Sequence, residues 1–393
     1  MARLALQLVR WGPAPSASRS GTRFARPALG LPAPLGPLRS LGERYAKPGP
    51  TRCQLFDPNR AVVVGSESMR VVALAAFSIP ILVCRPNPGG ESPPSVRGAT
   101  FDEESRLVYG AVAPPVDERE ISRARAELDR LLPGQGPLAP RYASFQERFL
   151  VPSETLDDVL TRALRECRRR TLEHLDLPED ESVRFEYVSG APWPAFANYL
   201  GDYRSVLSVN RDFPLAVGNV LEIASHEAYP GHHVVNVLRE RAFGRERSLE
   251  SAPGGEALLH EGLASYSLEL AFPGEERLRF EKEVLFPLAG RDPSEADLYS
   301  RVEREMRRLA PLRVEAAKAY LDRKRDRVQS VLWLENEALV PAPWAFLRFV
   351  DRYRTYVIAY TVGPERVRRR IRSGTSDPWR EFAALVTESN DET

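Results

Sequence analysis

The chain has 393 residues, of which 43% are apolar, and this is enough to build the core of one large domain or two ordinary ones. Its 55 lysines and arginines nearly balance its 54 acidic residues, so no strong positive field attracts nucleic acid or anionic lipid, and no nucleic-acid partner is expected. The three cysteines are widely spaced and odd in number, which argues against a disulfide framework and favours a reducing compartment, the cytoplasm.

Residues 1–97 differ in composition from the rest of the chain. The first fifty hold a single acidic residue, Glu43, among many arginines, prolines, alanines and glycines, and no apolar periodicity persists. We therefore expect a disordered or wrongly assigned leader, with a targeting segment as the alternative. The most apolar run, 71–84, contains Pro80 and is shorter than the roughly twenty residues that span a bilayer, so no transmembrane segment is predicted.

Helical periodicity begins near residue 98. Apolar side chains recur on one stripe of 117–132, and the Pro-Gly pair that follows predicts the end of this helix. A second helix is predicted after Ser153, which is placed to cap it, with Leu156, Leu160, Leu164 and Cys167 among the residues facing inward.

The period then changes from helical to alternating. Apolar and charged residues alternate in 182–188, which predicts a half-buried strand, and 204–209 is a second strand candidate. After Pro214 the pattern is helical to the end of the chain, with breaks at glycines and prolines. The predicted fold class is mainly α with a small mixed β-sheet, α+β, in one domain over 98–393.

Four of the five histidines lie within a stretch of thirty-five residues: His226, His232, His233 and His260. Imidazole is the commonest zinc ligand and titrates near neutrality, so this concentration predicts metal coordination or proton transfer. The first three belong to the string HEAYPGHH, where the search for a function is best concentrated.

HEAYPGHH is close to the zinc motif HExxH but differs from it. In HExxH, two histidines four residues apart share a helix face and bind zinc, and the glutamate takes a proton from a bound water. Here Pro230 stands four residues after His226. On an unbroken helix neither His232 nor His233 would meet His226 at one ion. Pro230 and Gly231 predict an interrupted helix, and such a bulge can return His232 to the position normally four residues along.

A third ligand is available in the segment LLHEGLASYSLEL. Glu261 lies twenty-nine residues after His232, a separation that fits a helix, a turn and an antiparallel return. Gly262 and Ala264 are small, so this helix can approach its neighbours closely. Two histidines and a glutamate leave a fourth coordination position open, as in catalytic zinc sites.

HEAYPGHH followed by EGLASY resembles the bacterial family called domain of unknown function 885, a distant relative of the zincin metallopeptidases with a glutamate as third ligand. The similarity extends through FDEESRLVYG, PWPAFANYLGDYRSVLSVN and AYTVG. It implies a zincin-like metallopeptidase fold for 98–393. Residues 1–97 do not match the helical start expected for the family, which favours a truncated or wrongly started reading frame.

The resemblance also implies a set of metal ligands and a base. His226, His232 and Glu261 would hold one zinc ion, and Glu227 would be the general base. His232 is preferred to His233 because the glycine before it resembles the Gly-His ending of HExGH in related carboxypeptidases.

Two further elements are assigned by the same resemblance. Tyr360, in the YxxG element, resembles a tyrosine that hydrogen-bonds a developing oxyanion. The strand at 204–209 is similar to the edge strand on which zincins bind an extended peptide. His233 is expected to be a supporting donor and His260 an exposed neighbour of Glu261.

The expected function is zinc-dependent hydrolysis of peptide or related amide bonds. A catalytically inactive zincin-like protein that binds peptide or docks a partner is the alternative from another class, and a metal-dependent hydrolase of a different bond is a third. The intact Glu227 favours catalysis, since a binding protein needs no base beside its metal. The oligomeric state and the substrate specificity are not predicted.

Overall fold

The computed structural model describes residues 98–191, 193–249, 254–374 and 377–387. The predicted leader, 1–97, lies outside the described residues, as do Cys53 and Cys84. None of the helices within these ranges is long and apolar enough to cross a membrane.

Helices precede and follow a short sheet along the chain. The first group comprises α1 (Phe101–Tyr109), α2 (Glu118–Leu131), α3 (Leu138–Glu147) and α4 (Leu156–Leu172). The strands are β1 (Ser182–Val188), β2 (Ala195–Gly201) and β3 (Arg204–Asn210). The helices around the histidine cluster are α5 (Val217–Ile223), a π-helical turn (Ala224–Ala228), α6 (His232–Phe243), α7 (Arg245–Leu249) and α8 (Gly254–Ala271). The remaining elements are α9 (Glu276–Phe280), a π-helical turn (Glu281–Leu285), α10 (Phe286–Leu288), a 3-10 turn (Pro293–Glu295), α11 (Ala296–Arg308), α12 (Pro311–Leu321), α13 (Arg327–Asn336), α14 (Pro343–Tyr353), a 3-10 turn (Arg354–Ile358), α15 (Ala359–Ser373) and α16 (Pro378–Thr387).

The two helices predicted before the sheet are both present. Asp117 caps α2, and the apolar stripe of this helix is buried, as its periodicity predicts. The helix predicted after Ser153 is α4, but the prediction that Ser153 caps it is wrong. The Ser153 hydroxyl hydrogen-bonds the Glu154 carboxylate at 3.0 Å, and the helix begins only at Leu156, too far along the chain for a cap at residue 153.

The predicted mixed α+β class is confirmed. The strand order is β1-β3-β2, with β1 parallel and β2 antiparallel to β3. β3 is therefore the central strand, and the prediction that it is a peptide-binding edge strand is wrong, because both of its sides are already paired. β2, which the sequence did not predict as a strand, is next to β3 only, within the described part of the chain. Its sequence AFANYLG contains alanine, asparagine and glycine, which strands disfavour.

A close helix crossing fixes the second half of the domain. A Cβ atom placed on Gly262 of α8 would lie 2.4 Å from the carbonyl oxygen of Gly363 in α15. A Cβ on Gly363 would lie 2.5 Å from the carbonyl oxygen of Leu258. The two backbones thus touch where both residues lack a side chain, and the predicted close approach through Gly262 occurs there. The contact sets the position of α15 relative to Glu261.

Candidate metal centre

The helix that carries His226 is interrupted where the sequence predicts it. After α5 the backbone widens into the π-helical turn, in which the Tyr229 amide donates to the Ala224 carbonyl, five residues earlier, at 3.2 Å. The Tyr229–Pro230 peptide is cis, and α6 starts at His232. The chain therefore changes direction between the two histidines.

Gly231 is required for this change of direction. Its amide donates to the Ser225 carbonyl at 2.9 Å, and a Cβ atom at this position would lie 1.8 Å from the carbonyl oxygen of His226. No side chain fits against the backbone so closely. The close return of the chain places the His232 ring beside the His226 ring, with their centroids 4.7 Å apart.

His226, His232 and Glu261 converge in the structure. One ligand atom from each of the three buried residues lies within 4.8 Å of the other two. The two histidine Nε2 atoms are 3.1 Å apart, His226 Nε2 is 2.9 Å from Glu261 Oε1, and His232 Nε2 is 3.8 Å from Glu261 Oε2. Zinc bonds of about 2 Å in tetrahedral geometry separate ligand atoms by roughly 3.3 Å, so these spacings fit one zinc ion.

The contacts of Glu261 also suit an ion. Tyr356 donates to Glu261 Oε2 at 3.1 Å. The other oxygen, Oε1, is buried and has no aligned hydrogen bond among the described residues, although His226 Nε2 is 2.9 Å away. An imidazole nitrogen and a carboxylate oxygen that approach so closely without an aligned hydrogen bond are as expected when both are directed at a common cation.

The electrostatics of the cluster favour bound positive charge. Burial lowers the pKa values of His226 and His232 to about 3, so both rings are neutral and keep a lone pair for a metal. Burial raises the pKa of Glu261 to about 7, because the ionised carboxylate lacks a compensating charge. A divalent cation supplies that charge.

Glu227, the predicted general base, is fully buried beside this cluster. Its Oε2 accepts a hydrogen bond from the Ala197 amide of β2 at 2.8 Å, and its Oε1 has no hydrogen-bond partner within the described ranges. Burial, followed by the charge of Glu261, raises the pKa of Glu227 well above its ordinary value. One carboxylate oxygen of Glu227 therefore binds the backbone of β2, and the other is available to accept a proton.

His233 does not point at the cluster. Its Nε2 lies 2.9 Å from Glu181 Oε2 and its Nδ1 lies 2.8 Å from Ser205 Oγ, so both ring nitrogens have partners. Tyr229 also donates to Glu181 Oε2, at 2.7 Å, and this hydrogen bond connects the segment between the π-helical turn and α6 to the residue before β1. This arrangement favours His232 over His233 as the ligand and gives His233 a supporting role.

His260 is half-buried, not exposed as the sequence predicted. Its Nε2 lies 3.0 Å from an amino group of Arg239, which also pairs with Glu256. The side chain is thus held on the α6 side of α8 and is not part of the three-residue cluster.

Tyr360 lies with His226 in the wall of a cavity of about 550 Å³. Other parts of the wall come from α8, α11 and the segment around Arg277. Tyr356, one turn earlier, donates to the candidate ligand Glu261, and its ring packs edge-on against that of Tyr360 at 6.0 Å.

Sequence reasoning did not single out Tyr356, which contacts Glu261, or Arg307, which lies in the wall of the cavity. Tyr356 had a signal, because it stands four residues before Tyr360 and two tyrosines at this spacing share a helix face. Arg307 had none, since it lies in a run of charged residues in a chain rich in arginine.

Comparison with known proteins gives a fold likeness without an activity. No protein-family model matches the chain. No curated protein matches it either. A solved protein from Colwellia psychrerythraea, described as a "putative lipoprotein", is similar with a TM-score of 0.56 and 15% identity over 73% of this chain and 52% of that chain. A "putative lipoprotein of unknown function" from Shewanella oneidensis is similar with a TM-score of 0.43 and 15% identity, over 74% of this chain and 61% of that one. This chain therefore spans about half the length of the first, and at 15% identity that likeness shows a shared fold.

Proposed function

We propose that the protein is a zinc-dependent metallopeptidase with a zincin-like fold, which hydrolyses peptide or related amide bonds. The observation that carries the proposal is the convergence of His226, His232 and Glu261 next to a buried glutamate, Glu227, with one oxygen left without a partner. A cluster that only stabilised the fold would need neither converging lone pairs nor an unsatisfied carboxylate.

The three ligands and Glu227 divide the chemistry. A zinc ion held by His226, His232 and Glu261 would polarise a carbonyl group and lower the pKa of a bound water. Glu227 accepts the proton of the attacking water and delivers it to the nitrogen of the leaving amine. The hydrogen bond from Ala197 keeps its carboxylate in one orientation while Oε1 takes the proton. Tyr360, in the cavity wall, donates a hydrogen bond from its hydroxyl group to the developing oxyanion.

β2 is the strand that can bind an extended substrate. Ala197 directs its amide toward Glu227 and away from β3, and in an antiparallel pair every second residue shares that direction. A peptide that adds to this side of β2 passes next to the base. This role replaces the one predicted for β3.

The test is the activity of Glu227→Gln. Zinc-loaded parent protein is expected to cleave members of a peptide library, and Glu227→Gln is expected to retain zinc and lose at least about a hundredfold in kcat, the contribution typical of a general base. An exposed control, Glu283→Gln, should match the parent. Equal activity of Glu227→Gln and parent would exclude the mechanism, and zinc binding without cleavage of any peptide, acyl amino acid or ester would favour the inactive binding protein.

The proposal places the protein in the cytoplasm, because its few cysteines suit a reducing compartment. Cys167, within the described residues, is buried and free. The similar protein from Colwellia psychrerythraea is described as a "putative lipoprotein", and a lipoprotein anchor would instead hold a protein at a membrane. Fractionation of expressing cells with immunodetection distinguishes these locations, and recovery with the membrane fraction would contradict the cytoplasmic assignment.

A further inference from the structure

The cavity beside His226 has more positive than negative side chains in its wall. Arg277, Arg307 and Arg368 face two glutamates, Glu222 and Glu269. Its volume, about 550 Å³, lies within the range of small-ligand sites. A cavity next to a candidate catalytic centre with an excess of guanidinium groups is suited to an anionic group of the substrate.

Two of the three arginines already have close carboxylate partners. Arg277 contacts Glu222 at 3.0 Å and Glu281 at 2.8 Å. Arg368 contacts Glu269 at 3.0 Å and also pairs with Glu365. Their positive charges are therefore largely neutralised by carboxylates of the protein.

Arg307 differs from the other two. Its guanidinium makes no hydrogen bond to a described residue, and it forms a long ion pair with Glu222, at 3.8 Å. Burial and the charge of Arg277 lower its pKa, yet 39% of its side chain is accessible to solvent. Both observations follow if the side chain lies deep in the protein and faces the cavity. An anion in the cavity would give the Arg307 guanidinium a hydrogen-bonded partner in addition to its long ion pair with Glu222.

The position of Arg307 relative to the metal centre sets the length of what fits between them. Its partner Glu222 stands four residues before His226, roughly 6 Å along a helix axis. One extended peptide residue spans about 3.5 Å, so a separation of this order holds one or two residues. The cavity therefore suits a short C-terminal piece of a peptide, with a carbonyl group at the metal centre and the terminal carboxylate at Arg307.

We propose that Arg307 binds the C-terminal carboxylate of a peptide, so that the enzyme is a carboxypeptidase that releases one residue at a time. The inference rests on the proposed metallopeptidase function and adds its substrate class. The oxygen of water bonds to the penultimate carbonyl carbon, the C–N bond breaks, and the proton passes to the amine of the released amino acid. Leu268, Phe272 and Pro311 in the wall favour an apolar terminal side chain.

The test measures binding separately from cleavage. Calorimetry on zinc-loaded Glu227→Gln compares N-acetyl-Leu-Leu-Phe as the free acid with the same peptide as its C-terminal amide. The acid is expected to bind at least about tenfold more tightly, as one charge-assisted hydrogen bond allows. Adding Arg307→Met should weaken binding of the acid roughly ten- to hundredfold and leave the amide unchanged.

Two further variants make the result specific. Arg304→Met, an exposed arginine on the same helix, should preserve the preference for the acid. Arg307→Lys keeps the positive charge without the planar guanidinium and should retain part of the preference for the free acid. This variant tests the pocket even if Arg307→Met folds poorly. A preference that is absent, or that survives Arg307→Met, overturns the inference.

Cleavage measured in parallel separates this inference from the function on which it rests. Peptide cleavage that depends on Glu227, without preference for the free acid, refutes the carboxylate pocket alone. An Arg307-dependent preference in binding, together with equal cleavage by parent and Glu227→Gln, refutes the proposed mechanism and retains the pocket.

Discussion

The crossing of α8 and α15 yields a quantitative prediction, tested by Gly262→Ala. The added Cβ would lie 2.4 Å from the Gly363 carbonyl oxygen and 2.5 Å from its carbonyl carbon. Carbon and oxygen normally approach to about 3.3 Å, so α15 must move by roughly 1 Å. The obstructing atoms belong to the backbone and cannot turn aside. Overpacking of this kind costs about 1–3 kcal/mol.

Gly255→Ala is the matched control on the same helix. A Cβ there would lie 3.5 Å from the Tyr109 carbonyl oxygen, an ordinary contact. Both substitutions gain up to about 1 kcal/mol of helix propensity, so this gain largely cancels between them. The expected difference in unfolding free energy between the two variants is therefore about 1–3 kcal/mol, with Gly262→Ala the less stable. Urea unfolding followed by circular dichroism, in the presence of a chelator, measures it. Equal stability of the two variants would refute the backbone contact.

Three further outcomes are expected. Burial raises the pKa of Glu303 to about 8, above its unfolded value, so its ionisation destabilises the fold as pH rises from about 4.5 to 8. In urea unfolding, the stability of Glu303→Gln relative to the parent should therefore increase over this window by up to about 1.4 kcal/mol per pH unit, and a constant difference would contradict this. Gly231→Ala should lose bound zinc, because the Cβ would overlap the His226 carbonyl; a parent-like metal content of the folded variant would disprove the argument. Tyr360→Phe should lower kcat roughly a hundredfold at unchanged zinc content, whereas an unchanged kcat would remove Tyr360 from the machinery.

The sequence predicted elements whose periodicity is local. The stripe of α2 and the alternation of β1 are visible in consecutive residues, and both elements occur at the expected positions. The interruption after His226 was also predictable, since proline and glycine constrain the backbone directly. The convergence of Glu261 on the two histidines was predicted because a catalytic zinc site needs a third protein ligand.

Features set by distant partners were not predictable in this way. β2 lacks strand propensity and forms because β3 and the Glu227 carboxylate take its backbone groups on either side. The central position of β3 depends on β2, so an error in one strand produced the error in the other. Arg307 belongs to the cavity only because α11 packs near α5, a relation that no local pattern records.

The most direct test of the central claim is the metal content of the purified protein. Plasma mass spectrometry should find one zinc ion per chain in the parent and in His174→Ala, an exposed histidine control, and little or none in His232→Ala. Zinc is also expected to raise the melting temperature of the parent but not that of His232→Ala. A parent protein without stoichiometric metal after purification with zinc, or a His232→Ala variant with parent-like zinc content, would contradict it.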